Sequence, residues 1–387
     1  MKVLMIATDN HSTSGAFLSM AKLCELLRDR HGVETLVVLP SRGPGARILD
    51  ATGISHVTIR SFPWICRCGF VGQLERLIKI LLLPVLNFKA AKRISWLLRD
   101  GAFDLVHVNT SCSGVGAAAA KRVGVPVVWH VRELLEEGLG RRFCRQRASL
   151  RLMSAASRVI AISRAVADKY EKRFGLRNVR VVMNGIDERD FPARDAQKPA
   201  NRPIRIFYGG GYEPEKGFSD LVAALADILR RRGPVFRLSV AGALPPWRRK
   251  ELTDAGLSPV LSEMGILDAD GVSAALRDAD ASCISSRSEA FGRKTVEAMM
   301  SGTLAIATDS GGTPEIAKDG ETACLYAPGD IQCLVRHIEH LIDGPSRMRE
   351  IARRGCAFAR EHLTASANAD AVFRLYREIL DERNGEP

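Results

Sequence analysis

Twice along the chain, short apolar runs alternate with stretches of helical period, and the two series are divided by the segment DFPARDAQKPANRP at 190–203. That alternation is the strongest constraint on what the chain can fold into. Strands that are apolar on both faces need cover on both faces, and a helix between successive strands lets them pair in parallel. In the first series strands are expected at 2–8, 34–39, 56–59, 105–109, 125–130, 159–163 and 179–182, with a helix over 17–30. In the second, strands are expected at 204–208, 236–242, 281–285 and 303–308, with helices opening near Gly217 and Arg293. The proline-rich divider reads as a linker. The expectation is an α/β chain of two doubly wound domains, 1–190 and 203–362. A final amphipathic helix, carrying Ala371, Leu375, Tyr376 and Ile379 at helical spacing, is expected to return to the first domain within 365–387.

At 387 residues the chain exceeds one ordinary core, and 46% hydrophobic with 26% charged residues is a globular composition. Nine cysteines, with only Cys66 and Cys68 closely spaced, fit neither a metal site nor a disulfide framework. A reducing cytoplasm is expected. The opening MKVLMIATDN is too short an apolar run for a signal peptide. The longest apolar stretch, LIKILLLPVLNF at 77–88, is broken by Lys79 and Pro84 and is too short to span a bilayer. The net charge of +12 is uneven: residues 1–187 hold 29 Lys and Arg against 14 Asp and Glu, leaving 27 against 30 for the remainder. All the excess basic charge lies in the first half, which points to an anionic partner there.

The stretch SSRSEAFGRKTVEAMMSG at 285–302 concentrates the chemistry. A strand ending near Ser285 leads through a turn at Phe291 and Gly292 into a helix from about Arg293. The free N–H groups and positive dipole end of such a helix form an anion site. Glu289 and Glu297, eight residues apart, then lie in the loop and one turn into the helix, suited to hold hydroxyls on either side of a phosphate. Alternatively, Glu297 is a solvated helix residue in one more strand–turn–helix unit. Lys216, after the glycines at 209–211, is placed as a point charge for phosphate; as a mere solvated lysine it would sit at an unfavourable helix end. Gly15, before the first helix, lets backbone approach a ligand closely. No GxGxxG dinucleotide fingerprint is present.

With these pieces in order, the sequence resembles the family 4 retaining glycosyltransferases of the GT-B fold, over nearly its whole length. SEAFGRKTVEAMMSG is similar to the family's Glu-x7-Glu signature, and Asp309-Ser-Gly-Gly-Thr-Pro-Glu315 to its Gly-Gly-x-Pro-Glu turn. Asn184-Gly185-Ile186-Asp187 and Glu215-Lys216-Gly217 match as well. The resemblance implies two Rossmann-like domains facing across an interdomain cleft, the first acceptor-side and the second donor-binding. It implies transfer from a nucleotide-sugar donor to a glycan or lipid-linked acceptor in bacterial surface polysaccharide assembly, with no cofactor and no metal. It implies Glu289 beside the donor sugar and Glu297 on the ribose hydroxyls. The amides of Phe291, Gly292, Arg293 and Lys294, with Lys216 and Gly15, would hold the diphosphate, and His130 would lie near sugar and acceptor. The chain departs from the family where an arginine usually precedes the lysine, at Gly209-Gly210-Gly211. Arg293 is the expected substitute.

Among the remaining residues, His107 and Asn109 end one strand as His130 ends another, and Arg132 and Glu133 are expected to pair with each other. The basic, apolar segments 63–98 and 141–151 read either as solvated helix faces or as a face for an anionic membrane, which would give a peripheral location at the inner membrane. Two other readings remain: a sugar-nucleotide epimerase of the same fold, and a basic binding protein without catalysis. Binding to nucleic acid is not expected, because aromatic interleaving and a recognised binding motif are absent from the sequence.

Overall fold

The first nine strands are β1 (Lys2–Ile6), β2 (Glu34–Leu39), β3 (His56–Thr58), β4 (Ile65–Arg67), β5 (Leu105–Asn109), β6 (Val127–Val131), β7 (Arg141–Phe143), β8 (Arg158–Ala161) and β9 (Val179–Val181). Seven of them form one sheet in the order β3-β2-β1-β5-β6-β8-β9, every neighbouring pair parallel. Val3, Leu4, Met5 and Ile6 are all buried, as a strand covered on both faces requires. Helix α1 (Gly15–His31) starts where Ser14 Oγ accepts the Phe17 N–H and ends at Gly32, in the left-handed region at φ 61°. Helices α2 (Gly69–Asp100), α3 (Val115–Val123) and α4 (Gln146–Ser154) follow. The computed structural model describes residues 1–193 and 202–385, so most of the expected linker lies outside the described residues.

One local expectation differs from what is found. Residues 141–151 are not one helix: Arg141–Phe143 pairs antiparallel with Ile65–Arg67, and only then does α4 begin. Pro84, which interrupts the apolar run at 77–88, lies inside α2. A proline there strips the carbonyl four residues back of its donor, and Arg145 Nη2 fills that place on the Ile80 oxygen at 2.9 Å.

The second unit repeats the plan. Strands β10 (Ile204–Tyr208), β11 (Phe236–Ala241), β12 (Leu261–Gly265), β13 (Ala281–Ile284), β14 (Leu304–Thr308) and β15 (Cys324–Tyr326) are ordered β12-β11-β10-β13-β14-β15, again parallel throughout. Helix α5 (Phe218–Arg232) follows β10 and α6 (Arg293–Met300) follows β13. The chain divides as Met1–Gly185 with Ala365–Pro387, and Ile186–Thr364. The second unit closes on itself where the Ile186 N–H donates to Leu363 O at 2.9 Å.

The last helix, α7 (Ala365–Asn384), belongs to the first unit. Ala369, Val372, Leu375, Tyr376 and Ile379 join that unit's core. Burying side chains of this size stabilises by about 1.5–3 kcal/mol each. The exposed bidentate pair of Arg30 with Asp370, at 3.0 and 2.8 Å, is screened by solvent and adds little. Apolar burial therefore holds the helix. Tyr376 also lies 2.6 Å from His107 Nδ1, wholly buried. Tyr376→Phe leaves that nitrogen unpaired and is expected to cost about 1–3 kcal/mol in denaturant unfolding. Asp370→Asn should cost under about 1 kcal/mol, and equal losses would contradict this ranking.

Candidate active site

In each sheet the strand order reverses once, between β1 and β5 and between β10 and β13. At such switch points the loops beyond the strands part, and a ligand can settle between them. In the second unit those loops are 209–217 and 285–292, and they are bound to one another. The Arg287 N–H donates to Glu215 O at 2.7 Å, Ser285 Oγ donates to Lys216 O at 2.9 Å, and Lys216 Nζ donates to Glu289 Oε1 at 2.9 Å.

Glycines make this closeness possible. Gly217, at φ 63°, has no room for a Cβ, which would lie 2.0 Å from Ser285 O. Gly311, at φ 58°, would place a Cβ 1.9 Å from Glu289 O, and the Gly312 N–H donates to that same oxygen at 2.7 Å. The Gly-Gly-x-Pro-Glu turn is thus the backbone support of Glu289. Gly292, at φ 91°, caps α6, whose first-turn N–H groups lack partners within the helix.

Burial pushes the Glu289 carboxyl up, but the Lys216 charge, with hydrogen bonds from Ser286 and Lys216, outweighs it and holds the group below the usual carboxylate range. Glu289 is therefore ionised. Glu297, buried on α6, receives Arg293 Nε at 2.6 Å. Arg293 is therefore engaged one turn along its own helix. Lys294 instead crosses to the glycine stretch, where its ammonium donates to Gly210 O and its stem packs near Gly209. Burial lowers the Lys294 pKa, and Lys216 adds to the lowering, while Glu289 and Glu297 oppose it. The cation that enters the glycine stretch is thus Lys294. Phe291 is buried beneath the turn.

In the first unit Gly15 lies exposed at the start of α1. His130 is buried near the end of β6, within a polar network the sequence did not announce. Arg132 Nε donates to Asn109 Oδ1 at 2.5 Å, Nη1 to Asn184 Oδ1 at 2.6 Å, and Nη2 lies 3.3 Å from His130 Nδ1. Arginine can only donate, so His130 Nδ1 accepts and a neutral ring carries its proton on Nε2. That Nε2 finds no hydrogen-bond partner among the described residues. Burial and the Arg132 charge hold both histidines neutral: His107 falls to about 3, and His130, with His107 beside it, lies well below its ordinary value. Glu133 does not simply pair with Arg132; its Oε1 accepts from both the N–H and Oγ of Ser111 at 2.5 Å. Thr110, which follows β5, is a β-branched residue at φ 97°, held by Thr8 Oγ1 at 2.9 Å and by Trp129 Nε1, which donates to its carbonyl at 2.8 Å. Strain of this kind gathers at functional sites.

The family model for Glycosyltransferase Family 4 matches residues 13–190, and that for Glycosyl transferases group 1 matches residues 190–356. The chain is a family 4 glycosyltransferase. It is 31% identical over 240 residues to a glycogen synthase of Mycobacterium tuberculosis, covering 61% of this chain and 56% of that protein. With the MMP alpha-(1->4)-mannosyltransferase of Mycolicibacterium hassiacum it shares 28% identity over 308 residues, 73% and 72% of the two chains. A crystal structure of Anabaena Alr3699/HepE in complex with UDP and glucose has the same fold, with a TM-score of 0.77 at 22% identity over 97% and 99% of the chains. The GT-B fold follows.

Within this glycosyltransferase, sequence reasoning named Asn109 at a strand end, Arg132 beside Glu133 and Asn184 in a motif, but missed Ser111 and the network that joins Arg132 to both asparagines. Gly311→Ala combines left-handed strain of about 1–3 kcal/mol with a backbone collision. Gly320→Ala has φ 67° and nothing within 4 Å, so it carries the strain alone. Thermal unfolding should show the larger loss for Gly311→Ala; equal losses would remove the close approach from the account.

The neutral histidines set a pH dependence. Below about pH 6.5 the unfolded chain protonates both and the folded one does not, so stability falls with pH by about 1.4 kcal/mol per unit for each, down toward the lowered folded values. The buried Glu133, whose carboxyl is pushed up, works in the opposite sense in both proteins compared. The His107→Gln/His130→Gln variant should therefore lose less Tm than the parent between pH 7 and pH 5. Parallel pH profiles would show the rings free to charge.

Proposed function

We propose that this glycosyltransferase moves a sugar, with retention at the anomeric carbon, from a nucleotide-diphosphate sugar to a glycan or lipid-linked acceptor in bacterial surface polysaccharide assembly. The observation that carries the reading is the charge arrangement at the second unit's switch point. Lys216 and Glu289 are joined at 2.9 Å, Lys294 approaches from α6, and the start of α6 opens beside them.

The chemistry asks for these groups. As the bond from the anomeric carbon to the diphosphate oxygen breaks, its electron pair stays with the diphosphate and positive charge grows on the sugar ring. Two ammonium groups and a helix N-terminus stabilise the first, and an ionised, sheltered carboxylate stabilises the second. The acceptor oxygen forms the new bond, and its proton goes to the departing diphosphate. On this reading Glu289 attends the sugar, and Lys216, Lys294 and the amides of Phe291, Gly292 and Arg293 hold the diphosphate. Arg293 braces Glu297 for the ribose hydroxyls. In the first unit, Gly15 is proposed for a phosphate contact and the Nε2–H of His130 for a sugar hydroxyl. No metal is assigned a part, since the lysines supply the cationic charge. UDP and glucose in the Anabaena protein support a donor of this class.

Among the described residues no helix is long and apolar enough to cross a membrane. Contact with a membrane is proposed as peripheral, through the basic first unit.

Glu289→Ala and Lys216→Ala should each abolish transfer while leaving the fold intact by circular dichroism. Lys294→Met should raise the donor KM about tenfold or more, as loss of one charge-assisted contact predicts. A thermal-shift panel of nucleotide sugars identifies the donor, because a ligand held only by the folded chain raises Tm. Undiminished turnover in either alanine variant would move the active site elsewhere.

A further inference from the structure

The first unit holds a cavity of about 260 Å³ beneath α2, walled by α2, α3 and α4. That is roughly the liquid volume of nine waters, yet its lining is mostly apolar, with Trp64, Leu83, Phe88, Val115, Ala118 and Leu152. Three cationic side chains, Lys79, Arg122 and Arg145, join that lining, and no carboxylate does; Lys79 is paired with Glu75 at 2.7 Å and Arg145 donates to Ile80 O, while Arg122 lies against Phe88. Outside the cavity, the first two-thirds of α2 presents large apolar side chains to solvent. Phe70 is 88% and Leu81 75% exposed, with Leu74 and Leu77 between them and Val85 one turn beyond. A contiguous apolar surface of this kind marks an interaction site. Phe88 belongs to both places: it lines the cavity, is itself half exposed, and has the Arg122 guanidinium 4.6 Å from its ring centre.

We propose that this cavity receives the hydrocarbon chain of a phosphate-headed lipid drawn from an anionic bilayer surface on which α2 lies. An apolar pocket beside an apolar helix face takes an alkyl chain; the Arg122 guanidinium at its edge, with no carboxylate in the lining, takes an anionic head group. The basic excess of residues 1–187 adds long-range attraction to such a surface. Of the two acceptor classes named above, this selects the lipid-linked one, a step that rests on the sugar-transfer reading. The binding site itself does not rest on it.

The test is isothermal titration calorimetry on the full chain with decyl phosphate below its micelle concentration. Octyl phosphate, inorganic phosphate and decyl maltoside are the comparisons. Decyl phosphate should saturate at one per chain, octyl phosphate should bind about tenfold more weakly for its two missing methylenes, and inorganic phosphate should not compete. Ala118→Phe, which fills the cavity, should weaken decyl phosphate at least tenfold. Arg122→Gln should weaken it while leaving decyl maltoside unchanged. If Ala118→Phe fails to fold, Leu152→Trp fills the same space from α4. No saturation, equal affinity in the cavity-filling variant, or effective competition by inorganic phosphate would each overturn the proposal. A UDP thermal shift run on the same samples separates the two readings. Its loss from the parent protein would count against the donor site, while its persistence in Ala118→Phe would show that only the lipid site had been closed.

Discussion

The bond from Lys216 to Glu289 is the contact on which the candidate site depends. It joins the loop after β10 to the loop after β13 at the one place in the second sheet where adjacent strands send their connections apart. An ammonium and a carboxylate in a half-buried setting suffer desolvation that hydrogen bonds and mutual attraction must offset. Here the balance leaves the carboxylate charged, because Ser286 and Lys216 both donate to it and Lys294 adds a second positive field. The backbone around the pair is correspondingly tight: Arg287 to Glu215, Gly312 to Glu289, and glycines where any side chain would strike a carbonyl. The motif glycines are thus steric requirements of a charge pair held between two loops.

The first unit solves a related problem differently. The switch-point strand β5 and its neighbour β6 carry buried polar side chains, His107 and Asn109 on β5 and His130 on β6. Arg132 gathers two asparagines and a histidine around one guanidinium, and Tyr376 arrives from the far end of the chain to satisfy His107. Buried polar groups are tolerated when each finds a partner. Within this network the His130 Nε2 finds none among the described residues, and an unpaired donor on a neutral ring is chemically suited to a neutral hydroxyl. The return of α7 therefore does more than cover a core; it gives His107 Nδ1 a buried partner in Tyr376.

The two units also carry different charge for a physical reason. The second unit keeps the cations of its switch-point loops matched to carboxylates, Lys216 to Glu289 and Arg293 to Glu297. The first unit spreads arginine and lysine over an exterior that includes a largely exposed apolar helix. Dispersed positive charge beside apolar surface is a poor device for binding one small anion and a good one for meeting an extended anionic surface.

Sequence alone determined the two parallel sheets and the start of α6 at Arg293, because apolar periodicity and glycine placement are local properties that the chain writes in order; the grouping of Lys216, Glu289 and Glu297 was implied by the family resemblance. It also showed the gap at Gly209-Gly210-Gly211, but not what enters it. Arg293 and Lys294 are neighbours in sequence, yet one turns along its own helix to Glu297 while the other crosses to Gly210. A helix sends successive side chains about 100° apart, so which of two adjacent cations faces the loop is settled only when helix and loop are packed together. The same holds for Arg132, whose partners lie 23 and 52 residues away, and for Pro84, whose orphaned carbonyl is satisfied by an arginine 65 residues beyond it. Contacts between distant segments depend on tertiary structure, and they decided which charges pair, which ring stays neutral and where a cavity opens.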